Sequence, residues 1–228
     1  MTNKVINNLR MQGKDRKLLN IELGRVSAEK YRELPDSGVV VVLDNVRSAH
    51  NVGSVFRTSD SFKVDKVFLC GICPVPPSAE IHKSGLGAED SVGWEHCEDT
   101  MVAVERLRNE GYTIVSVEQT VNSVKLDRFK PYATQESAEG TSQESAAETS
   151  QESAAETSNI GPIPSKKYAL IFGNEVDGVS QEVVDASDFS LEIPQFGMKH
   201  SLNISVSAGV VLWHLTLERL RAKNAEKL

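Results

Sequence analysis

The sequence lacks any stretch of the roughly 20 consecutive apolar residues that a membrane-spanning helix requires. Its strongest apolar run, GVVVVL at residues 38–43, is only as long as a β-strand. The opening segment, MTNKVINNLRMQGKDRK, is polar and basic, and it lacks the apolar core of a secretory signal. We therefore expect a chain with no membrane partner and no export signal.

Cysteine is also scarce, with three among 228 residues. A disulfide-stabilised secreted domain needs a denser set, so we expect reduced thiols and a cytoplasmic protein. Cys70 and Cys73 have C-x-x-C spacing, but PVPP follows them where a thioredoxin-type motif would open a helix. The histidines form no cluster with metal-ligand spacing. We expect no metal, and a redox protein is the less favoured alternative.

Basic residues are missing from one segment, which accounts for most of the net charge of −7. Residues 134–158 carry six glutamates and no Lys or Arg, and the rest of the chain holds 25 basic against 26 acidic side chains. Three tandem octads (QESAEGTS, QESAAETS, QESAAETS) fill residues 135–158. Their only apolar side chains are alanines, which bury too little surface to offset the entropy of ordering. We interpret this segment as a disordered or transiently helical insert with no part in the chemistry.

The ends of the chain are basic. Residues 1–32 carry eight Lys or Arg against three acidic residues, and the tail from Arg219 carries four against Glu226. Local basic clusters on a nearly neutral body suit a phosphate backbone as partner. On charge alone, solvated helix faces explain the same pattern equally well.

Strand and helix patterns alternate along the chain. The segments GVVVVLD, VDKVFLC, YTIVSVEQ, KYALIFG and DFSLEI have strand character. Helices are predicted from Asn51 to about Phe62, over TMVAVERLRNEG, and from about Ser201. This order predicts an α/β fold with a mostly parallel sheet covered by helices. Residues 1–35 are expected to form a separate helical extension, residues 36–228 the main domain, and residues 81–95 a glycine-bearing loop.

Ligands of open α/β sheets gather at the carboxyl ends of the strands. The first such loop, DNVRSAHNVGSVFRTSD, offers Asn51 as a helix N-cap and Gly53 as a bare position that something could approach. Arg57 lies one turn further and would project back over the helix start, where an anion could bind. An ion pair of Arg57 with Asp44 or Asp60 is the competing explanation.

Two later loops have unusual composition. IFGNEVDGVS, at residues 171–180, carries glycines at both ends that permit φ > 0 and close approach of a ligand to the backbone. It has neither P-loop nor dinucleotide spacing, so alone it indicates only a turn. In IPQFGMKHSLN, at residues 193–203, Ser201 is a candidate helix cap and Asn203 places an amide in the first turn.

Together, NVGSVFR, FGNE…G and IP…G…SLN resemble the three signature motifs of the SpoU-type RNA 2′-O-ribose methyltransferases, in the SPOUT superfamily. The similarity runs from about Gly38 to the C-terminal helix, excluding the octads. It implies a C-terminal deep trefoil knot, a homodimer, and methyl transfer from S-adenosylmethionine to a ribose 2′-hydroxyl of tRNA or rRNA. A non-catalytic protein of the same fold that binds RNA and S-adenosylmethionine is the alternative.

The resemblance also implies residue roles. Arg57 would activate the hydroxyl, either as a base or, more readily for a group that stays protonated, as a phosphate clamp that stabilises the alkoxide. The implied catalytic set is Arg57, Asn51, Glu175, Ser201 and Asn203. The implied cofactor-binding set is Phe172, Gly173, Asn174, Gly178, Ile193, Pro194, Gly197, Ser201, Leu202 and Asn203. The implied RNA-binding set is Arg47, His50, Arg57 and Lys83. Val176 and His200 depart from the family pattern.

Overall fold

The computed structural model of the chain describes residues 17–24, 26, 28–132, 166–199 and 201–225. Its strands are β1 (Val39–Asp44), β2 (Lys66–Cys70), β3 (Gly93–Cys97), β4 (Tyr112–Val117), β5 (Val124–Lys125), β6 (Lys167–Phe172) and β7 (Phe189–Glu192). Its helices are α1 (Ala28–Glu33), α2 (Ala49–Ser61), α3 (Ala79–Gly85), α4 (Ala88–Ser91), α5 (Thr100–Asn109), α6 (Gln181–Ala186) and α7 (Ile204–Ala225). Short 3-10 turns cover Asn20–Leu23 and Leu126–Arg128.

The strands form one seven-stranded sheet in the order β3-β2-β1-β6-β4-β7-β5. Every neighbouring pair in it is parallel. This confirms the predicted α/β fold with a parallel sheet. The order places β6, β4 and β7 side by side, so the loops that follow these three strands open at the same edge of the sheet.

The valine run of β1 forms a central strand because both of its faces are buried. Val39, Val41 and Leu43 pack into the core on the side of α2 and α7. Val40 and Val42 pack into a second core on the side of α5 and α6. A strand in the middle of a parallel sheet, covered by helices on both sides, favours such continuous β-branched sequence.

The prediction of a loop at residues 81–95 is wrong. The Ser78 hydroxyl accepts a hydrogen bond from Ile81 N at 3.4 Å and begins α3. Leu86 and Gly87, both at positive φ, separate α3 from α4. The glycines therefore lie at the ends of short helices, and the segment ends in the edge strand β3.

The element that approaches the bare position at Gly53 is another helix, α3. Gly53 is buried in α2, and a Cβ at this position would overlap Ile81 O and Ser84 Oγ of α3. It would also lie 3.0 Å from the backbone nitrogen of Gly85. The missing side chain lets the two helix backbones approach closely, which fixes α3 against the start of α2.

Among the described residues, those up to Leu34 belong to one unit and those from Pro35 onward to a second. The described part of the first unit holds the turn Asn20–Leu23 and α1. The domain division and the knot remain proposals, and the octads lie outside the described residues. Among the described helices, none combines the length and the hydropathy needed to cross a membrane.

Candidate active site

A cavity of about 410 Å³ opens where β4, β6 and β7 end and α7 begins. Its walls come from the ends of these strands, from the loops that follow them and from the first turn of α7. This is the edge of the sheet at which the sequence predicts a ligand. The lining residues are Val117, Glu118, Gln119, Phe172, Gly173, Asn174, Glu175, Val176, Asp177, Gly178, Leu191, Glu192, Ile193, Gln195, Ser201, Leu202, Asn203, Ile204 and Ser207.

Asn51 joins the three predicted motifs at the rim of this cavity. Its Nδ2 donates to Glu175 Oε1 at 2.8 Å, and its Oδ1 accepts from Asn203 Nδ2 at 3.2 Å. These partners lie 124 and 152 residues away in sequence. Asn51 is only 7% exposed, whereas Glu175 and Asn203 are exposed, so the two contacts run from a buried amide to the surface of the site. The first motif is thereby linked directly to the second and the third.

The helix caps differ from the sequence expectation. Ser48, not Asn51, caps α2, because the Ser48 hydroxyl accepts from Asn51 N at 3.2 Å. At α7, Asn203 rather than Ser201 performs this role, since Asn203 Oδ1 accepts from Ser205 N at 2.9 Å. Because Ser48 caps α2, the side-chain amide of Asn51 is free to reach across the site. Asn203 both caps α7 and contacts Asn51.

The loop at residues 173–178 is a tight turn built on Asn174. Its backbone exchanges hydrogen bonds with Gly178 at 3.1 and 3.2 Å, and Asn174 Oδ1 accepts from Val176 N and Asp177 N, each at 2.9 Å. Val176 is not among the described residues at positive φ, so a glycine is not needed there. These bonds preorganise the wall of the cavity.

The two glycines of this loop admit protein atoms. Gly178 has φ +71°, as predicted, but a Cβ there would overlap Glu118 Oε2. A Cβ on Gly173 would overlap the backbone of Gly178 and Val179. Protein atoms therefore occupy the space that a side chain would take at these glycines, while both glycines line the cavity; the approach of a ligand to their backbone stays a prediction.

Glu175 is held as a carboxylate. Burial raises its pKa, but hydrogen bonds from the Asn51 amide and from the backbone N–H groups of Arg47 and Ser48 outweigh this, so the pKa lies below its ordinary value. Those N–H groups precede α2. Glu175 therefore fastens the loop after β6 to the start of α2.

Arg57 is exposed on α2 and makes no ion pair with any described residue. The two carboxylates proposed as its partners are engaged elsewhere. Asp44 is buried and accepts from Thr100 Oγ1 at 2.6 Å and from Ser180 N at 2.9 Å. Asp60 accepts from the hydroxyl of Ser91 at 2.7 Å. The ion-pair explanation of Arg57 is therefore wrong for the described part of the chain.

The structure brings most of the predicted site residues together. All of the predicted cofactor-binding residues except Pro194 and Gly197 line the cavity. Of the predicted catalytic set, Glu175, Ser201 and Asn203 line it, Asn51 lies behind them, and Arg57 is outside the lining. Sequence reasoning missed Val117, Glu118 and Gln119; their position at the carboxyl end of β4 was the available signal. The departure at His200 lies outside the described residues.

The predicted RNA-binding residues Arg47, His50 and Lys83 are exposed. Lys83 lies on α3, which packs against α2 at Gly53. Beside it, His82 Nδ1 lies 2.7 Å from Glu89 Oε1.

His82, Glu89 and Asp90 form a group of possible metal ligands, whose ligand atoms lie within 4.8 Å of one another. Exposed acidic groups are common without a metal, so this grouping does not establish a metal site.

The cysteines are structural. Cys73 Sγ accepts from Val46 N at 3.1 Å and donates to Leu43 O at 3.3 Å. Burial raises the pKa of Cys73 to about 11 and raises the pKa of Cys70 as well. A redox motif needs an accessible thiolate, so this environment speaks against the redox alternative.

A comparison with known protein families identifies the family of this chain. The model of the SpoU rRNA Methylase family matches residues 38–213, from β1 into α7. The chain belongs to this family. A tRNA (guanosine(18)-2′-O)-methyltransferase of Aquifex aeolicus is 27% identical to this SpoU protein over 187 residues, which are 79% of this chain and 70% of the relative.

Solved structures share the fold of this SpoU protein. A tRNA-modifying enzyme of the same type from Aquifex aeolicus superposes with a TM-score of 0.64 at 22% identity, covering 86% of this chain and 84% of that one. The SpoU methyltransferase AviRb of Streptomyces viridochromogenes, solved in complex with the cofactor AdoMet, gives 0.61 at 18% identity. That match covers 84% of this chain and 64% of the other.

Proposed function

We propose that this SpoU protein transfers the methyl group of S-adenosylmethionine to a ribose 2′-hydroxyl of structured RNA, either tRNA or rRNA. The observation that carries the proposal is the contact of Asn51 with both Glu175 and Asn203 at the rim of the cavity. It brings the three family motifs to one place. The name of the Aquifex aeolicus relative, a 2′-O-methyltransferase of tRNA, supports ribose as the acceptor.

The residues present fit the cofactor. The cavity is concave, is lined partly by backbone of the loops after β6 and β7, and lies at the sheet edge where α/β proteins bind ligands. Its wall at residues 173–178 is preorganised by internal hydrogen bonds, so binding costs little ordering. The lining members of the predicted cofactor set would hold S-adenosylmethionine, which supplies an electrophilic methyl group.

Arg57 would contact the RNA that carries the acceptor hydroxyl. Its side chain leaves α2 six residues after Asn51, about 9 Å along the helix axis, and helical side chains lean back toward the N-terminus. The guanidinium can therefore clamp a phosphate of RNA near the rim by paired hydrogen bonds. It also stabilises the alkoxide that develops as the hydroxyl attacks, while the proton leaves to the phosphate or to solvent. Arginine does not itself take the proton.

Asn51, Glu175 and Asn203 act as positioning residues in this scheme. The Asn51 amide does not ionise at neutral pH, and the lowered pKa of Glu175 makes it a poor proton acceptor there. Their hydrogen bonds fix the start of α2, which carries Arg57, against the loops that hold the cofactor. A misplacement of about 1 Å between these parts is enough to slow an in-line reaction strongly.

We also propose that the protein works as a homodimer through α7. One stripe of this helix exposes large apolar side chains: Val206 is 50% exposed, Trp213 51% and Leu220 48%. Contact with a second copy of the chain would bury these apolar side chains. Because α7 begins at the cavity, the interface would then lie near the site. Val210→Asp, in the middle of the stripe, is expected to yield monomers by light scattering, whereas Val121→Asp at an exposed position elsewhere is not.

The experiment that tests the function measures transfer of labelled methyl to tRNA and, separately, to rRNA, followed by digestion to nucleosides. Arg57→Ala is compared with wild type and with Arg128→Ala, an exposed arginine outside the cavity. We expect label in a 2′-O-methyl nucleoside with wild type and Arg128→Ala, and at least about 100-fold less with Arg57→Ala.

Equal label in Arg57→Ala would leave an enzyme but remove Arg57 from the chemistry. Cofactor binding without label on either RNA would favour the non-catalytic binding protein. Label in a base-methylated nucleoside would refute ribose as the acceptor.

A further inference from the structure

The walls of the cavity carry charge of one sign. Four lining residues are carboxylates, and none of the described lining residues is Lys, Arg or His. The four are Glu118, Glu175, Asp177 and Glu192. A partly enclosed site with such walls concentrates field lines and favours a ligand with positive charge.

These carboxylates are compensated to different degrees. Glu192 is paired with Lys125, whose Nζ lies 2.5 Å from Glu192 Oε2. Glu175 is bound to Asn51. Asp177 is exposed, so solvent screens it.

Glu118 is different, because its position is fixed and its charge is not neutralised. Its Oε2 accepts from Val179 N at 3.1 Å and its Oε1 accepts from Gln119 N at 2.8 Å. No described Lys or Arg side chain pairs with it, and it is half-buried. The absent side chain of Gly178 makes the space for Oε2. The backbone N–H groups orient the carboxylate and leave its full negative charge at the wall.

Methyl transfer changes the charge of the ligand. The bond from the sulfonium sulfur to the methyl carbon breaks, the sulfur keeps the electron pair, and the ribose oxygen gains the methyl group and loses its proton. S-adenosylmethionine thereby loses one positive charge and becomes the neutral thioether S-adenosylhomocysteine. A fixed carboxylate in the wall attracts the donor more strongly than the product.

We propose that Glu118 is a specificity-determining residue that makes the cavity bind the charged methyl donor in preference to its neutral demethylated product. The inference rests on the proposed function, because it requires S-adenosylmethionine in this cavity. It adds a role to a residue outside the three motifs. Its consequence is faster exchange of spent cofactor and weaker inhibition by product.

The test measures dissociation constants by calorimetry for three ligands. These are S-adenosylmethionine, S-adenosylhomocysteine and sinefungin, an analogue that carries a protonated amine in place of the methylated sulfonium. Glu118→Gln keeps the shape and one acceptor for the backbone N–H groups. We expect it to weaken both charged ligands by roughly three- to tenfold and to leave S-adenosylhomocysteine nearly unchanged. Glu98→Gln, an exposed residue outside the lining, should change none of the three.

A second measurement needs no variant. In wild type, raising the salt from about 0.05 to 0.5 M should reduce the preference for S-adenosylmethionine over S-adenosylhomocysteine, because salt screens the carboxylate. This holds the inference open to refutation even if Glu118→Gln fails to fold.

Equal weakening of all three ligands by Glu118→Gln would overturn the inference, since it would show that the carboxylate contacts a part they share. An unchanged preference in both the variant and the salt series would also overturn it, while leaving the proposed function intact. Failure of wild type to bind any of the three ligands would refute the proposed function itself.

Discussion

Asn51→Asp is expected to break the junction of the three motifs while leaving its shape almost unchanged. The substitution replaces the Nδ2 donor, 2.8 Å from Glu175 Oε1, with a carboxylate oxygen. The acceptor for Asn203 Nδ2 is retained. Two carboxylates would then face each other at hydrogen-bond distance, with the new one in a site that is 7% exposed in the wild type.

The magnitude follows from the geometry. Two unit charges about 3 Å apart repel by roughly 1.5 kcal/mol in water and about 6 kcal/mol at an effective dielectric constant of 20. Because Glu175 is exposed on one side, we expect a value toward the lower end, about 2 kcal/mol. Loss of the hydrogen bond adds about 1 kcal/mol. Asn51→Ala is the matched control, since it removes both amide contacts, for about 1–2 kcal/mol, without introducing the repulsion.

The pH dependence separates the two variants. A carboxylate pair raises one folded-state pKa, so folding of Asn51→Asp takes up a proton and its destabilisation is relieved as the pH falls. Wild-type Glu175 has the opposite sign: its lowered pKa gives stability that is complete above its ordinary value of 4.5 and is lost as the pH falls below it. Measurements between pH 7.5 and 5.5 therefore leave the wild-type contribution intact.

The assay is urea unfolding of wild type, Asn51→Asp and Asn51→Ala at pH 7.5 and 5.5. We expect Asn51→Asp to be the less stable variant by about 1–2 kcal/mol at pH 7.5 and to recover roughly half of that difference at pH 5.5. Asn51→Ala should keep the same deficit at both values. Equal, pH-independent deficits in the two variants would show that Asn51 and Glu175 do not meet in solution.

Three further predictions concern other parts of the chain. Gly53→Ala should lower the free energy of unfolding by about 2 kcal/mol or more, because its Cβ would overlap α3. Gly197→Ala, which has open space around it, should be neutral. Equal stability of the two variants in urea unfolding would contradict the close contact between the helices. Cys73 is buried and its pKa is raised to about 11, so in the native protein at pH 8 it should react with a thiol reagent far more slowly than the half-buried Cys97. The extent of labelling is read by mass spectrometry, and rapid labelling of both cysteines would support the redox alternative. Deletion of residues 135–158 should leave methyl transfer and cofactor binding intact, and loss of either would give the octads a structural role.

The strands were predictable because their signal is local. The valines of β1 are apolar on both faces, a pattern typical of the centre of a parallel sheet, and the structure places them between two cores. Residues 81–95 were misread because glycine favours a loop and a helix boundary alike. The cap at Ser78 and the packing of α3 against Gly53 decided between them.

The sequence by itself determined the parallel α/β fold, the family and two of the loops that line the cavity, those after β6 and β7, since strand patterns and motifs are properties of neighbouring residues. Only the tertiary structure decided what individual residues do there. Asn51 was expected to cap its own helix, and it instead joins side chains 124 and 152 residues away. Glu118 lies outside every motif, and its place at the wall depends on the space beside Gly178. A hydrogen bond between residues far apart in the chain leaves no periodic trace in the sequence, because folding alone brings its partners within reach.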